Sequence, residues 1–299
     1  MTLPGVTELL ALREAARYLS LRAQSWAAGP LQGGHRSAHR GRGLEFEEVR
    51  LYTAGDDARS IDWRVTARRG RPHTKLFREE RERPVWVFAD LSPAMFFGSR
   101  RQLKSAVVVR AAALLAWVAA RDGDRVGAVV CGCSESRILR PRAREAGVMA
   151  LVGALVQMQP HAPETPTVAT SEETLRNLTA LVRPGSLVLA LSDFSALDSA
   201  NEALWSQIAA HSECRLFWVT DVLEEQGLPN GRFRVGVPSH STIVDGASVR
   251  HQWLQAWRAR EARIGTLAQR IGSPVLRLDT GESTVDILRS RLHAPKIAA

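Results

Sequence analysis

Lysine is scarce in this chain of 299 residues. Only three of the 40 basic residues are lysines (Lys75, Lys104 and Lys296), so the formal net charge of +9 rests almost wholly on arginine. The guanidinium group suits bidentate contact with carboxylates or phosphates. The chain has no zinc-finger spacing and no RNA-binding strand signature, so its charge indicates general affinity for anions and no specific recognition of nucleic acid.

Long apolar runs and cysteines are also scarce. No uninterrupted apolar run reaches the roughly 18 to 20 residues that a membrane span needs, and the N-terminal segment carries charges where a signal peptide would be apolar. The three cysteines include one C-x-C pair, Cys131 and Cys133, with no second Cys or His pair at a matching spacing. This favours buried thiols over a zinc site. We therefore expect a cytoplasmic protein without a membrane span.

Several common catalytic motifs are missing. The sequence has no G-x-x-x-x-G-K-[ST] loop, no HExxH and no GxSxG. These absences argue against the corresponding nucleotide hydrolases, metalloproteases and serine hydrolases, and we expect a protein that is not an enzyme. Two alternatives stay open. One is a basic nucleic-acid-binding protein, and the other is a metal-dependent hydrolase built on two central carboxylates.

The C-terminal two thirds of the chain reads as an α/β domain. From residue 84 onward, apolar runs such as VWVFADLS (85–92) and SLVLALSDFS (186–195) alternate with helical patterns. Such strands indicate a parallel sheet that helices cover on both faces. We predict a doubly wound, mostly parallel sheet of six strands within residues 84–299, with a strand-rich insertion at about 222–250.

The first 83 residues are predicted to form a different region. Apolar residues at helical spacing predict a helix over 5–28, and five glycines and a proline mark residues 29–43 as a linker. Residues 44–83 mix short alternating stretches with turns, which predicts strands and one helical turn near 57–63. Because 40 residues bury little core, we expect a strand-rich appendage to the α/β domain.

Hydroxyl and carboxylate oxygens follow two of the predicted strands. Asp90 and Ser92 come after the first strand of the α/β domain, Asp193 follows another, and Thr167 or Thr170 lies in a hydroxyl-rich loop. In open α/β sheets, ligands bind beyond the carboxyl ends of the strands. Such oxygens favour Mg²⁺, Mn²⁺ or Ca²⁺ over zinc. The alternative is that the two aspartates only cap helices and turns.

The pattern Asp90-x-Ser92-x-Ala94 resembles the D-x-S-x-S metal-ion-dependent adhesion site of von Willebrand factor A domains. Asp193 falls where that family keeps its distal aspartate. The resemblance implies a von Willebrand A-like fold and a Mg²⁺ or Mn²⁺ site formed by Asp90, Ser92, Asp193 and Thr167. Because Ala94 replaces the second serine, we expect low affinity, and we expect Ala94→Ser to strengthen binding of the metal.

Two longer stretches resemble the DUF58 family. They are GLEFEEVRLYTAGDDARSIDWRVTARRGRPHTKLFREE (43–80), with its GDD-x-R-x-I-D-W core, and DVLEEQGLPNG (221–231). The resemblance implies a domain of unknown function joined to a von Willebrand A-like fold. It also implies a protein-interaction module, an adaptor or assembly factor that acts with a MoxR-type AAA+ ATPase.

The core of the first stretch concentrates both charge signs around one tryptophan. It contains Asp56, Asp57, Arg59, Asp62 and Trp63. One interpretation is a buried network of ion pairs, in which case Arg59→Ala or Asp62→Ala would destabilise the fold. The other is a surface that recognises a partner, since Trp and Arg are enriched at binding hot spots.

Overall fold

The computed structural model describes residues 2–21, 45–53, 56, 60–78, 82–162, 168–237 and 240–292, with backbone alone at 45–49, 75–78, 168–171, 237 and 240. The chain divides into two compact units, residues 36–82 and residues 1–35 with 83–299. The described elements of the larger unit are α1 (Val6–Ala16), β3 (Pro84–Asp90), α3 (Lys104–Arg121), β4 (Arg125–Cys131), β5 (Ser136–Ala143), α4 (Glu145–Met158), α5 (Val168–Leu181), β6 (Leu187–Ser192), α6 (Ser199–Ala209), β7 (Glu213–Thr220), α7 (Val222–Gln226), β8 (Arg232–Val237), β9 (His240–Asp245), α8 (Gly246–Arg270), β10 (Val275–Asp279) and α9 (Thr284–Arg291). Those of the smaller unit are β1 (Glu45–Leu51), α2 (Trp63–Arg69) and β2 (His73–Arg78).

The larger unit is a mixed α/β domain with a central sheet of six strands. The strand order is β10-β7-β6-β3-β4-β5, and all neighbours pair in parallel except β4 and β5. This confirms the predicted six-stranded, mostly parallel sheet. After β3 the chain adds β4 and β5 on one side, and it then crosses back and adds β6, β7 and β10 on the other. The strand order therefore reverses between β3 and β6.

Helices cover both faces of this sheet. Along β3, Val85, Val87 and Ala89 pack into the core under α1, α3, α4 and α9, whereas Trp86 and Phe88 pack into the core under α5, α6 and α8. This alternation is the two-residue period of a strand that is buried on both faces. It explains why the sequence of β3 reads as a continuous apolar run.

The N-terminal helix belongs to the larger unit, which differs from the predicted grouping of residues 1–83. Leu9 and Leu12 of α1 are buried in the core, and the indole Nε1 of Trp117 in α3 donates to the carbonyl oxygen of Leu9 (3.0 Å). The helix ends at Ala16, earlier than predicted, and Leu19 is buried beyond its end. Periodicity alone extended the helix because apolar residues continue past it. The predicted end of this helix and the Gly-rich linker lie outside the described residues.

The smaller unit contains an antiparallel pair of strands, β1 and β2, with α2 between them in sequence. Residues 57–59 of the helical turn predicted near 57–63 lie outside the described residues, and Ser60 has a 3-10 helical conformation. The helix α2 begins at Trp63, where Asp62 caps its first turn. Gly70 ends α2 in the left-handed conformation (φ 69°), which glycine adopts without steric cost.

The strand-rich insertion is the antiparallel pair of β8 and β9, as expected, but α7 before it was not predicted. Across the part of the chain that the structure describes, no helix combines the length and apolar character that crossing a membrane requires.

Candidate functional site

The carboxyl edge of the sheet is acidic. Asp90 ends β3, Asp193 directly follows β6, and Asp221 directly follows β7. All three side chains are buried. The edge therefore brings the predicted Asp90 and Asp193 to the position where strand order reverses, and it adds Asp221, which the sequence-based prediction of a site left out.

Asp90 is held by hydroxyl and amide donors. The backbone N–H of Ser92 donates to its Oδ1 (3.0 Å), and the hydroxyl of Ser192 donates to its Oδ2 (2.6 Å). Burial and the neighbouring negative charge of Asp193 raise the pKa of Asp90 above its usual value. The charge of Asp193 thus acts on Asp90 across the edge of the sheet.

Asp193 is paired with a lysine. Its Oδ1 accepts from the backbone N–H of Ser195 (2.8 Å), and its Oδ2 accepts from Nζ of Lys104 (2.6 Å). Burial alone would raise the pKa of Asp193, but the positive charges of Lys104 and Arg260 outweigh burial and lower it. Asp193 is thus ionised and neutralised by side chains of this chain.

Lys104 connects the ends of three strands. It begins α3, the helix that follows β3, and its Nζ also lies 3.1 Å from Oε1 of Glu224 in α7, which follows β7. Arg260 of α8 contacts the same Oε1 (3.3 Å). We call Lys104, Asp193, Glu224 and Arg260 the lysine–carboxylate cluster.

The sequence-based prediction of a site missed Lys104. Its side chain is only 3% exposed, which is rare for lysine and requires paired carboxylates. Two signals were available. Lysine is scarce in this chain, and this lysine follows the loop of the candidate motif. Glu224 lies in the stretch that resembles DUF58, but nothing in that stretch indicated its partner.

The backbone is strained beside the cluster. Phe194, between Asp193 and Ser195, has a φ of 52°, which a bulky residue rarely adopts. Its backbone N–H donates to the hydroxyl of Ser192 (2.9 Å), and its ring packs edge-on against Trp205. Strain of this kind persists where the surroundings hold the residue, and it concentrates at functional sites.

Asp221 forms a second buried cluster at the same edge. Its carboxylate accepts from the backbone N–H of Ser99 (2.7 Å) and of Leu223 (2.9 Å), and from the hydroxyls of Ser99 and Thr280. Burial raises the pKa of Asp221, but the hydrogen bonds from Ser99 and Thr280 outweigh burial and lower it. Asp221 thereby joins β7 to the loop before α3 and to the end of β10.

The described part of the edge does not fit a divalent cation as it stands. Each carboxylate oxygen of Asp90 and Asp193 already accepts a hydrogen bond, and one of them is 2.6 Å from an ammonium group. Within the described residues, no group of three or more His, Cys, Asp or Glu side chains is placed to hold a metal ion. Thr167 lies outside those residues, as does the side chain of Thr170.

A small pocket opens on the face of the sheet that α5 and α6 cover. Phe88, Phe194 and Trp205 line it together with Asp90 and Asn201. It offers about 30 Å³ to a ligand. Small-molecule sites usually measure several hundred Å³, so this pocket has room for water and not for a nucleotide.

Asp56 is a charged residue of the signature segment for which the structure describes an ion pair. Asp56 accepts from the backbone N–H of Thr53 (2.9 Å) and from Nη2 of Arg50 (2.7 Å), and these contacts, the first more than the second, lower the pKa of Asp56. Asp57 and Arg59 lie outside the described residues.

Asp62 and Trp63 have different environments. Asp62 is the N-cap of α2, and its Oδ1 accepts from the backbone N–H groups of Arg64 (3.0 Å) and Val65 (3.1 Å). Trp63 begins the helix with its side chain outward, since the residue is 70% exposed. Asp62 therefore has a structural role, whereas Trp63 lies on the surface, where it could contact a partner.

We expect Asp62→Ala to lower the free energy of unfolding by about 1 kcal/mol, because it leaves the first turn of α2 without its cap. Thermal or urea melts measure this effect. Asp62→Asn is the matched control, since asparagine caps nearly as well. A loss of several kcal/mol would show that Asp62 belongs to a buried network instead.

Comparisons with known proteins agree with the signature stretches. The family model described as "Protein of unknown function DUF58" matches residues 48–263. Uncharacterised proteins of Mycobacterium tuberculosis and Mycobacterium bovis are each 36% identical to this chain over 128 residues. These matches cover 42% of this chain and 40% of each relative, so the chain spans less than half the length of those relatives.

Two solved structures are similar to this chain at a low level. One is a conserved hypothetical protein, BatB, from Bacteroides thetaiotaomicron, with a TM-score of 0.43 and 14% identity over 70% of this chain and 96% of that one. The other is an aerotolerance-related membrane protein from Bacteroides fragilis, with a TM-score of 0.43 and 12% identity over 70% of this chain and 98% of that one. Likeness at this level supports no statement about function. The family model, in contrast, spans most of the chain, from the signature segment through the carboxyl edge of the sheet, and the protein therefore belongs to the DUF58 family.

Proposed function

We propose that this protein is a non-enzymatic interaction module that binds a protein partner through the exposed face of α2. The observation that carries the proposal is Trp63. This residue is 70% exposed, and tryptophan is enriched at protein interfaces because it combines a large apolar ring with an N–H donor. The residue lies in the segment that the family model matches.

The backbone around Trp63 is held in place before a partner binds. Asp62 caps the helix immediately before the tryptophan, and Gly70 ends it in a left-handed turn. A side chain on a fixed backbone loses less conformational freedom on binding. Preorganised tryptophans of this kind are frequent hot spots.

The surroundings of Trp63 favour an acidic partner. Arg64, Arg68, Arg69 and Arg71 are exposed, and α2 contains no acidic residue. Arginine at the rim of an interface steers an oppositely charged partner and fixes its orientation. We therefore propose an acidic protein surface as the partner of this face, which we call the Trp63 face.

Family resemblance identifies the partner class that we propose. The DUF58 resemblance implies an adaptor or assembly factor that acts with a MoxR-type AAA+ ATPase. The strand order reversal beside β3, with acidic residues at the carboxyl edge, supports a von Willebrand A-like domain in the same chain. Because this chain lacks a phosphate-binding loop, the ATPase would supply the energy.

We expect Trp63→Ala to weaken binding to the ATPase by about 2 kcal/mol or more, roughly 30-fold in Kd, with little change in the melting temperature. Calorimetric titration of the purified pair measures the Kd. Tyr18→Ala is the matched control, because Tyr18 is also an exposed aromatic residue (65%) but lies outside α2. Equal affinities for the wild type and Trp63→Ala would contradict the proposal.

The exposed arginines also favour a second candidate, binding of nucleic acid. A complex driven by phosphates weakens steeply with salt, in proportion to the number of phosphates that are neutralised. Titration with duplex DNA at two salt concentrations, about 50 and 200 mM, separates the candidates. Tight, salt-sensitive binding of DNA without binding of the ATPase would favour the second.

A further inference from the structure

We propose that the ammonium group of Lys104 serves as the cation of the carboxyl edge, between two carboxylates that would otherwise take up a divalent metal ion. The carboxyl edge would then carry its own cation, and removal of Lys104 would turn the lysine–carboxylate cluster into a Mg²⁺ or Mn²⁺ site. This inference does not depend on the Trp63 face, because it concerns another unit of the chain.

The geometry of Lys104 is that of a shared counter-ion. Its Nζ lies 2.6 Å from Oδ2 of Asp193 and 3.1 Å from Oε1 of Glu224. Asp193 directly follows β6, and Glu224 lies in α7, the helix that follows β7. Carboxylates from segments that follow separate strands converge on one cation, as they would on a metal ion.

The position of Lys104 in its helix argues for a specific role. It is the first residue of α3, where the helix dipole disfavours a positive charge, and the first turn of α3 contains no acidic residue. A lysine at this place that is 3% exposed is held by the carboxylates and not by the helix. Arginine, which predominates in this chain, is too large and planar to replace a compact cation.

The charges within the cluster balance without a metal ion. Lys104 and Arg260 supply two positive charges, and Asp193 and Glu224 supply two negative ones. A divalent cation added to these four groups would lie close to two positive charges in a site that is largely buried. Their repulsion and the cost of desolvating the ion oppose binding as long as Lys104 is present.

Both carboxylate oxygens of Asp90, the first residue of the predicted motif, are engaged within the protein. The hydroxyl of Ser192 donates to Asp90, and the backbone N–H of Ser92 donates to the same carboxylate. Ala94 adds no oxygen. Restoring a hydroxyl there would leave Lys104 in place, so we expect Ala94→Ser alone to gain no metal binding, in contrast to the expectation from the motif.

Loss of the ammonium group has a definite chemical consequence. It leaves Asp193 and Glu224 converging on a gap beside Arg260. Mg²⁺ and Mn²⁺ are commonly bound by one or two carboxylates and several waters, which is the set of ligands that remains. The ligand class of the altered site is thus a hard divalent cation.

The test is a Mn²⁺ titration of the full chain followed by electron paramagnetic resonance of free Mn²⁺. We expect no saturable binding by the wild type or by Ala94→Ser. We expect Lys104→Ala to bind one Mn²⁺ saturably, since affinity for the ion rises with the number of unpaired carboxylates. The matched control, Lys104→Ala with Asp193→Asn, should lose this binding.

The melting temperature gives a second measurement, which is informative even when a variant folds poorly. The melting temperature of Lys104→Ala should rise with Mn²⁺, whereas that of the wild type should not, because only the variant binds the ion. Lys104→Gln, which keeps the volume, repeats the measurement if the alanine variant does not fold even with Mn²⁺. Stoichiometric binding of Mn²⁺ by the wild type would overturn the proposal, and so would a folded lysine variant that binds none.

Discussion

Replacing Lys104 with methionine in metal-free buffer is expected to lower the free energy of unfolding by about 3 to 5 kcal/mol. The side chains of Lys104 and Asp193 are only 3% and 1% exposed, so the substitution leaves a carboxylate buried without its counter-ion. Methionine keeps most of the length and the apolar stem of lysine, so the loss reports mainly the charge and not a cavity. Urea unfolding measures this loss of free energy. The comparison holds when the free energy of unfolding falls with urea concentration at the same slope in both proteins.

Two controls isolate this effect. Arg176→Met breaks an ion pair of similar length, 2.6 Å to Glu172, but Arg176 is 66% exposed, and we expect at most about 0.5 kcal/mol. Lys104→Met combined with Asp193→Asn removes both charges and should recover part of the loss. If Lys104→Met were as stable as the wild type, the cluster would not hold this edge together.

Replacing Asp221 with alanine is expected to cost about 2 to 4 kcal/mol. The substitution removes the acceptor of hydrogen bonds from Ser99, Leu223 and Thr280, and a buried donor left unpaired costs about 1 to 3 kcal/mol. Thr280 is fully buried, so water cannot readily replace the carboxylate there. The end of β10 and the loop before α3 should loosen together, which hydrogen exchange would detect.

The stability that Asp221 contributes should depend on pH in one direction. The folded state lowers the pKa of Asp221, so its contribution to stability is present above the unfolded pKa, about 3.9, and is lost as the pH falls through the folded value. The difference in stability between the wild type and Asp221→Ala should therefore narrow in acid. Asp286→Ala is the control, because that side chain is 73% exposed and its loss should change stability by at most about 0.5 kcal/mol. A difference in the free energy of unfolding between the wild type and Asp221→Ala that stayed constant down to about pH 2 would contradict this prediction.

Both predictions concern the edge where strand order reverses. The clusters around Lys104 and Asp221 connect the loops that follow β3, β6, β7 and β10. A network that satisfies its charges internally holds these loops in one arrangement.

The sequence by itself determined the α/β class and the approximate place of most elements in the larger unit. Strands such as β3 and β6 are buried on both faces, so their residues are apolar throughout and stand out between helical patterns. The position of Asp90 and Asp193 at strand ends followed from the same pattern. The DUF58 signature was recognisable because it is a contiguous stretch.

Only the tertiary structure decided which groups meet. Lys104 and Asp193 are 89 residues apart, and Lys104 and Glu224 are 120 apart, so no local pattern links them. Parallel strands joined by helices bring their carboxyl ends to one edge, and the distances there decide whether two carboxylates share a metal ion or an ammonium group. The outward direction of Trp63 was likewise undecided, because a tryptophan among alternating charges fits a buried network and an exposed interface equally well until its burial is known.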